Sequence, residues 1–343
     1  MADQIALFNI EDAPDPRDIY GEVDLLSYNT YAVAFSGGKD SVAAVLSLLE
    51  AGVPRDRIEL MHHRVDGGFS EGRVFDWPVT DAYVRAFAEA FDLKLFFSWK
   101  QAGIKGEMYR ENEMTKPTFF ETPEGLVKSG GDRGKATTRR MFPAVSASLS
   151  SRFCSSYVKI DVGSKAITGQ TRFCNSRTLF ISGERAEESK NRATYLSFEP
   201  HRTDRRDGKL ARHVDHYRPV LKWSESEVWA IMERWGVRAH PCYEIGFGRC
   251  SCSFCIFGSA DQFATLRKID AEGFARIVGM EVELKHTMKN GRSLTQVADA
   301  GTPYEAATPE RAALAMSTEY NESILVDHWT LPAGAYGDSS GPI

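Results

Sequence analysis

The chain has 343 residues, 42% hydrophobic and 26% charged, which suits one large α/β domain with additions or two domains. Its formal net charge of −5 excludes a uniformly basic nucleic-acid coat but leaves room for a local basic face. The acidic start "MADQIALFNIEDAPDPRD" has no signal-peptide pattern, and no apolar run nears the ~18 residues of a membrane span. A soluble, cytoplasmic protein with no membrane partner is expected.

In chain order, residues 1–23 read as an N-terminal extension. "TYAVAF" predicts a buried strand. "DSVAAVLSLLEAG" predicts a helix with Val42, Val45, Leu46 and Leu49 on one face, stopping at Gly52. "RIELMHH", "VTDAYVRAFAEAFD" and "LKLFFSW" predict a strand, a helix and a strand. This alternation argues for an α/β fold with a doubly wound parallel sheet. Residues 24–220 form the expected main domain, with a loose, glycine-rich insertion at about 100–150. "SRTLFISGERAEES" predicts a strand and then a charged helix start. Residues 221–330 form a helical, cysteine-rich C-terminal portion. There "SESEVWAIMERWGV" predicts a helix capped by Ser224 with Glu227 three residues on. Residues 331–343 are expected to be a flexible tail.

The first strand runs into SGGKDS and then a helix. Glycines let backbone approach an anion, and a helix N-terminus points N–H groups at it. Ser36, Gly37, Gly38, Lys39, Asp40 and Ser41 are therefore the candidate phosphate cradle. Lys39 brings positive charge, and Asp40 is a candidate magnesium ligand. The loop is neither G-x-x-x-x-G-K-[ST] nor G-x-G-x-x-G. It resembles the PP-loop of the N-type ATP pyrophosphatases, SGGxDS, within the adenine-nucleotide α-hydrolase-like group.

A second stretch, "LFISGERAEESKNR", resembles the G-x-R-x-x-E-S segment of the phosphoadenylyl-sulfate reductase branch. The resemblance implies nucleotide contacts for Gly183, Arg185 and Arg192, with Lys39, Asp40 and Arg185 as the catalytic set. "FPAVSASLSSRFCSSYVKID" and "YRPVLKWSESEVWAIMERWGVRAHPCYEIGFGRCSCSFC" extend the resemblance over roughly residues 30 to 260. That branch places a catalytic cysteine in its tail, whereas no cysteine here follows Cys255, which weakens sulfate reduction as the expected reaction. Overall likeness is greatest to the sulfurtransferase subunit of DNA phosphorothioation systems of the Dnd and Ssp type. It implies DNA as substrate, a cysteine desulfurase as sulfur donor, further subunits of a modification complex, and a role in bacterial defence. The alternatives are a phosphoadenylyl-sulfate reductase-like enzyme, a tRNA-thiolating enzyme or a non-catalytic nucleotide sensor.

Of six cysteines, Cys242, Cys250, Cys252 and Cys255 fall within the span 242–255. In a reducing compartment such crowding points to metal, cluster or thiol chemistry. Four thiolates suit zinc or an iron–sulfur cluster. The resemblance favours a [4Fe–4S] cluster on Cys154, Cys242, Cys252 and Cys255. Cys250 and Cys174 remain candidate persulfide carriers. Two basic segments, Lys128, Arg133, Lys135, Arg139, Arg140 and Arg202, Arg205, Arg206, Arg212, are candidate tracks for a phosphate backbone.

Overall fold

The computed structural model describes residues 23–337 together with Asp18 and Gly21. The rest of the expected N-terminal extension and residues 338–343 of the expected tail lie outside the described residues.

The apolar run Tyr31–Ala34 in Thr30–Ala34 (β1) suits a strand covered on both faces. Tyr31 and Val33 enter the larger buried core, and Ala32 enters a second one on the other side of the sheet. Helix α1 (Lys39–Glu50) follows, ending just before Gly52 at φ +79°. The chain continues through β2 (Ile58–Arg64), α2 (Thr80–Ala90), β3 (Lys94–Lys100) and α3 (Gly103–Met108).

The stretch expected to be loose instead extends the sheet. β4 (Thr118–Thr122) and β5 (Gly125–Ser129) form an antiparallel hairpin on β3. β4 alternates buried and half-buried residues, the period-2 pattern of an edge-region strand. Irregular backbone returns between the hairpin and Arg152.

A helix then starts at Phe153–Ser155 (α4), loosens into a π-helical stretch at Ser156–Ile160, and continues as α5 (Asp161–Thr168). β6 (Ser176–Ile181), β7 (Phe198–Pro200) and β8 (Arg212–Tyr217) complete the sheet, in the order β5-β4-β3-β2-β1-β6-β8-β7. β3, β2, β1, β6 and β8 are mutually parallel neighbours. The expected doubly wound α/β architecture is therefore present. Strand order reverses between β1 and β6, and such a switch point opens a crevice at the strands' carboxyl ends.

After the sheet come α6 (Glu225–Arg234), α7 (Pro241–Glu244), α8 (Ala260–Ile269), α9 (Ala271–Leu284), α10 (Leu294–Asp299) and α11 (Pro309–Ala315). Ser224 caps α6 in a reciprocal box with Glu227, as its spacing predicts. α6 buries Val228, Ile231 and Met232 in the same core as α1 and β1. The cysteine-bearing loop meets the segments that follow β1 and β2, where Cys250 abuts Gly38 and the Phe254 N–H donates to the Phe75 carbonyl at 3.1 Å. No helix among the described residues is long and apolar enough to cross a membrane.

Candidate functional site

The switch point positions the two motifs. SGGKDS leaves the end of β1, and Ser182-Gly183-Glu184-Arg185 leaves the end of β6, its parallel neighbour. Gly37 takes φ +78°, and a Cβ there would stand 3.1 Å from both Tyr83 and Val84, so the turn needs glycine for its dihedral and for space. Gly183 has a different reason. A Cβ there would meet the Asp40 carbonyl oxygen at 2.5 Å and the Ser41 nitrogen at 2.8 Å. The resemblance implied a nucleotide contact for Gly183; its visible role is to let the first turn of α1 lie against the end of β6.

Lys39 is 2% exposed. Its ammonium lies 3.6 Å from Asp40 and 3.7 Å from Glu225 and donates to the Gly248 carbonyl at 3.3 Å. Asp40 Oδ1 accepts from Arg185 Nε at 2.5 Å, and Arg185 also pairs with Glu187 at 2.6 Å. Burial opposes the charged form of Asp40, but Lys39, then Arg185 and Arg249, outweigh it and hold the carboxyl below its ordinary value. Arg185 holds Oδ1 and Lys39 lies beside Oδ2, so a magnesium ion on Asp40 would stand against both cations. Arg192 pairs with Glu188, which also lies 3.8 Å from Arg249.

The charged helix expected after β6 is only a 3-10 turn, Ala186–Glu188, ended by extended backbone at Ser189. Its acids are spent on Arg185 and Arg192 rather than on a solvated helix face. Lys39, Asp40 and Arg185 come together, while Arg192 sits in a neighbouring ion-pair group.

Three of the loop's backbone donors are already engaged by side-chain oxygens. Ser36 N–H reaches Ser41 Oγ at 3.3 Å and Gly38 N–H reaches Ser36 Oγ at 3.4 Å. The Lys39 N–H donates to Tyr243 Oη at 3.0 Å, and the Cys250 N–H donates to the same oxygen at 3.2 Å. Tyr243 therefore takes a position at the N-terminus of α1 where a phosphate oxygen would accept. The motif reading missed it, although it lies in the quoted "HPCYEIGFGRC". A nucleotide phosphate at this amide must displace the phenol. Replacing Tyr243 with Phe strands the buried Lys39 N–H and the part-buried Cys250 N–H and is expected to cost about 2 kcal/mol of stability. Added pyrophosphate should then raise the thermal midpoint more in the variant than in wild type; equal shifts would show that Tyr243 does not compete with phosphate.

Beside the loop opens a cavity of about 980 Å³ at the carboxyl ends of β1, β2, β6 and β8. Its walls include His63, Arg152, Lys159, Arg218 and Arg249, with the thiols of Cys154, Cys252 and Cys255. Nε and Nη1 of Arg152 are buried without a hydrogen-bond partner. Lys159, on the π-helical stretch, keeps its charge because Cys252, Cys154 and Cys255 outweigh the cost of burial. Burial and the neighbouring Cys255 push the Cys154 thiol up to about 11.

Cys242 is placed elsewhere. It shares a group with Cys250 and His240, whose donor atoms all lie within 4.8 Å of one another. Burial first, and then Cys250, hold the Cys242 thiol protonated. Its hydrogen bond favours thiolate on Cys250, against burial and with help from His240. Of the four expected cluster ligands, the structure thus gathers Cys154, Cys252 and Cys255 around Lys159 and commits Cys242 to a separate sulfur pair. Cys174 follows the turn Thr171–Phe173, ahead of β6 and outside the cavity lining. None of the six cysteines forms a disulfide.

Burial, then His62 and Lys159, push the His63 imidazole down to about 3. His63 stays neutral in the native chain while the unfolded chain takes up a proton below pH ~6.5. This contribution to stability is present above pH 6.5 and falls away as pH drops toward 3. The slope of unfolding free energy between pH 6.5 and 4 should flatten by about 1.4 kcal/mol per pH unit in His63→Asn. An unchanged slope in denaturant titrations would mean that His63 is protonated in the folded chain.

The basic segments divide. Arg139 stacks over Phe153 at 4.0 Å and is half-buried, and Arg212 is buried with its Nε on the Thr203 carbonyl. Arg206 pairs with Asp204 and Asp215, and Arg140, half-buried, lies 3.8 Å from Glu111. Lys128, Arg133, Lys135, Arg202 and Arg205 are exposed.

Residues 132–257 match the phosphoadenosine phosphosulfate reductase domain. The matched stretch takes in β6, the GERAEES segment and all six cysteines, and begins after the SGGKDS loop. The chain is also 24% identical over 274 residues to an uncharacterized 37.8 kDa protein in the gpa 5′ region of Escherichia phage 186, covering 76% of this chain and 77% of that one. Among solved structures, phosphoadenylyl-sulfate reductase from Candida auris in a phosphate complex aligns at TM-score 0.33 and 15% identity, over 64% of this chain and 78% of that one. FMN adenylyltransferase from Candida glabrata, with FMN and an ATP analogue, aligns at TM-score 0.31 and 10% identity, over 64% and 54%. At these TM-scores the likeness carries no functional weight.

Proposed function

We propose that this chain splits ATP between the α- and β-phosphates, releasing pyrophosphate, to activate an acceptor oxygen for replacement by sulfur. The supporting observation is the meeting of SGGKDS, Lys39 and Arg185 at the β1/β6 switch point, beside a cavity walled by three thiols. An acceptor oxygen attacks the α-phosphorus, the α–β bridging bond breaks, and its electron pair leaves with pyrophosphate. Lys39 and Arg185 would offset the charge growing on that leaving group. Magnesium, arriving with the nucleotide, would supply further charge neutralisation. A sulfur nucleophile then displaces AMP from the activated centre.

The acceptor in this reading is a DNA backbone phosphate, as in DNA phosphorothioation, with a cysteine desulfurase supplying sulfur and other subunits of a modification complex taking part. The exposed Lys128, Arg133, Lys135, Arg202 and Arg205 supply the charge for a nucleic-acid backbone. A [4Fe–4S] cluster belongs to the same reading. Cys154, Cys252 and Cys255 would take three of its positions, with a ligand other than Cys242 or Cys250 at the fourth. No step above passes through it, and iron and sulfide analysis of anaerobic protein tests it.

The family match favours a second reading, in which an adenylylated sulfate binds the same site and a thiol attacks its sulfur. Incubation with labelled ATP and with phosphoadenylyl sulfate, each with and without DNA or tRNA, separates these readings. AMP and pyrophosphate formed from ATP and stimulated by DNA support the proposal. ADP and phosphate from ATP, or consumption of the sulfonucleotide alone, would overturn it; stimulation by tRNA alone would move the acceptor to tRNA.

A further inference from the structure

The group His240, Cys242 and Cys250 stands apart from the three thiols of the cavity wall. It is built by a short stretch of chain. His240 precedes Pro241 at the start of α7, Cys242 sits in that helical turn, and Gly246 at φ +99° reverses the backbone so that Cys250 returns to the same place. His240 and Cys242 are both fully buried. The three donor atoms lie within 4.8 Å of one another. Ligands on one tetrahedral zinc ion stand roughly 3.5–3.8 Å apart, given Zn–S and Zn–N distances of about 2.3 and 2.0 Å. The group therefore needs a contraction of about 1 Å at most to close on an ion.

One further observation points to a ligand here. His240 Nε2 lies 3.3 Å from Thr80 Oγ1. With Nδ1 turned to an ion in place of the Cys242 amide it now accepts, Nε2–H would donate to Thr80, the outer hydrogen bond that orients a ligating imidazole.

We propose that His240, Cys242 and Cys250 form a binding site for a thiophilic divalent ion of the zinc class, separate from the Cys154, Cys252 and Cys255 thiols. The two sulfurs and one imidazole select zinc over magnesium or calcium, which prefer oxygen. Binding displaces the proton that the two sulfurs share, and that proton leaves to solvent. The ion pins the loop 240–250 against the nucleotide loop. Cys250 already abuts Gly38, whose added Cβ would stand 3.2 Å from that of Cys250, and shares Tyr243 Oη with Lys39. Zinc thus holds in place the cover that Tyr243 provides.

The test uses the full chain, purified anaerobically with a non-thiol reductant and loaded with zinc alone against a chromophoric chelator. One chelator-resistant zinc per chain is expected in wild type, Cys252→Ser and Cys255→Ser, and none in Cys242→Ser or Cys250→Ser. Cobalt(II) loading supplies a second readout at saturating metal, with folding checked by circular dichroism. The thiolate-to-cobalt band should fall to about half in each of Cys242→Ser and Cys250→Ser and stay whole in Cys252→Ser. The site is overturned if wild type holds no zinc. It is also overturned if zinc survives Cys250→Ser but is lost in Cys252→Ser, which would place the ion among the cavity thiols.

Discussion

Replacing Lys39 with methionine is expected to lower the formation of AMP and pyrophosphate from ATP by ~10²–10³-fold, the usual effect of removing one group aimed at transition-state charge. The side chain is nearly solvent-free, lying between Trp229 at 5.9 Å and Tyr243 at 5.6 Å from the ring centroids. Methionine fills most of that volume and removes only the ammonium. Its loss leaves Asp40 with Arg185 and leaves Glu225 with its bond from Trp229 Nε1 at 3.1 Å, so the fold has substitute partners. Product formation should therefore fall far more than stability. Arginine at this position is not an equivalent replacement, because a planar fork cannot fit the slot that a slender stem occupies. Quantifying pyrophosphate in single-turnover assays, beside a thermal melt, checks both halves. Unaltered turnover in a folded variant would remove Lys39 from the reaction.

Replacing Gly183 with alanine is expected to cost the chain several kcal/mol and to abolish nucleotide binding with it. The new Cβ would stand 2.5 Å from the Asp40 carbonyl oxygen, 2.6 Å from its carbon and 2.8 Å from the Ser41 nitrogen. All three are backbone atoms in the first turn of α1, so no side chain can rotate aside. Either β6 or the SGGKDS turn must move, and Asp40 would lose its registry with Arg185. Gly52 makes a control of the opposite kind. It lies at φ +79° with nothing within 4 Å of an added Cβ, so alanine there costs only the dihedral strain, about 1–2 kcal/mol. Denaturant unfolding of both variants tests the contrast. A Gly183→Ala chain as stable as wild type, with intact nucleotide binding, would mean that the close approach of these two loops is dispensable.

The parallel core was legible because its strands are short apolar runs and its helices carry long amphipathic periods. The α6 cap could be read from Ser224 and Glu227 alone. The β4–β5 hairpin was hidden because glycines and charges around it resemble those of an open loop. Its pairing with β3 depends on a neighbour far earlier in the chain. The 3-10 turn after β6 was misread as a helix start because Glu187 and Glu188 have good helical propensity. Tertiary ion pairs with Arg185 and Arg192 claim those acids instead.

By itself, the sequence determined an α/β chain with a phosphate-type loop at the end of its first strand, since both follow from periodicity and from the needs of a few glycines. Only the tertiary structure decided how the cysteines divide. Spacing along the chain places Cys250 two residues from Cys252, yet the fold sends the first to Cys242 and His240 and the second to Lys159 and Cys255. It also decided that Tyr243 sits on the Lys39 amide. Both outcomes arise where a loop folds back from α7 onto the sheet's carboxyl edge, and contacts across some two hundred residues leave no local trace.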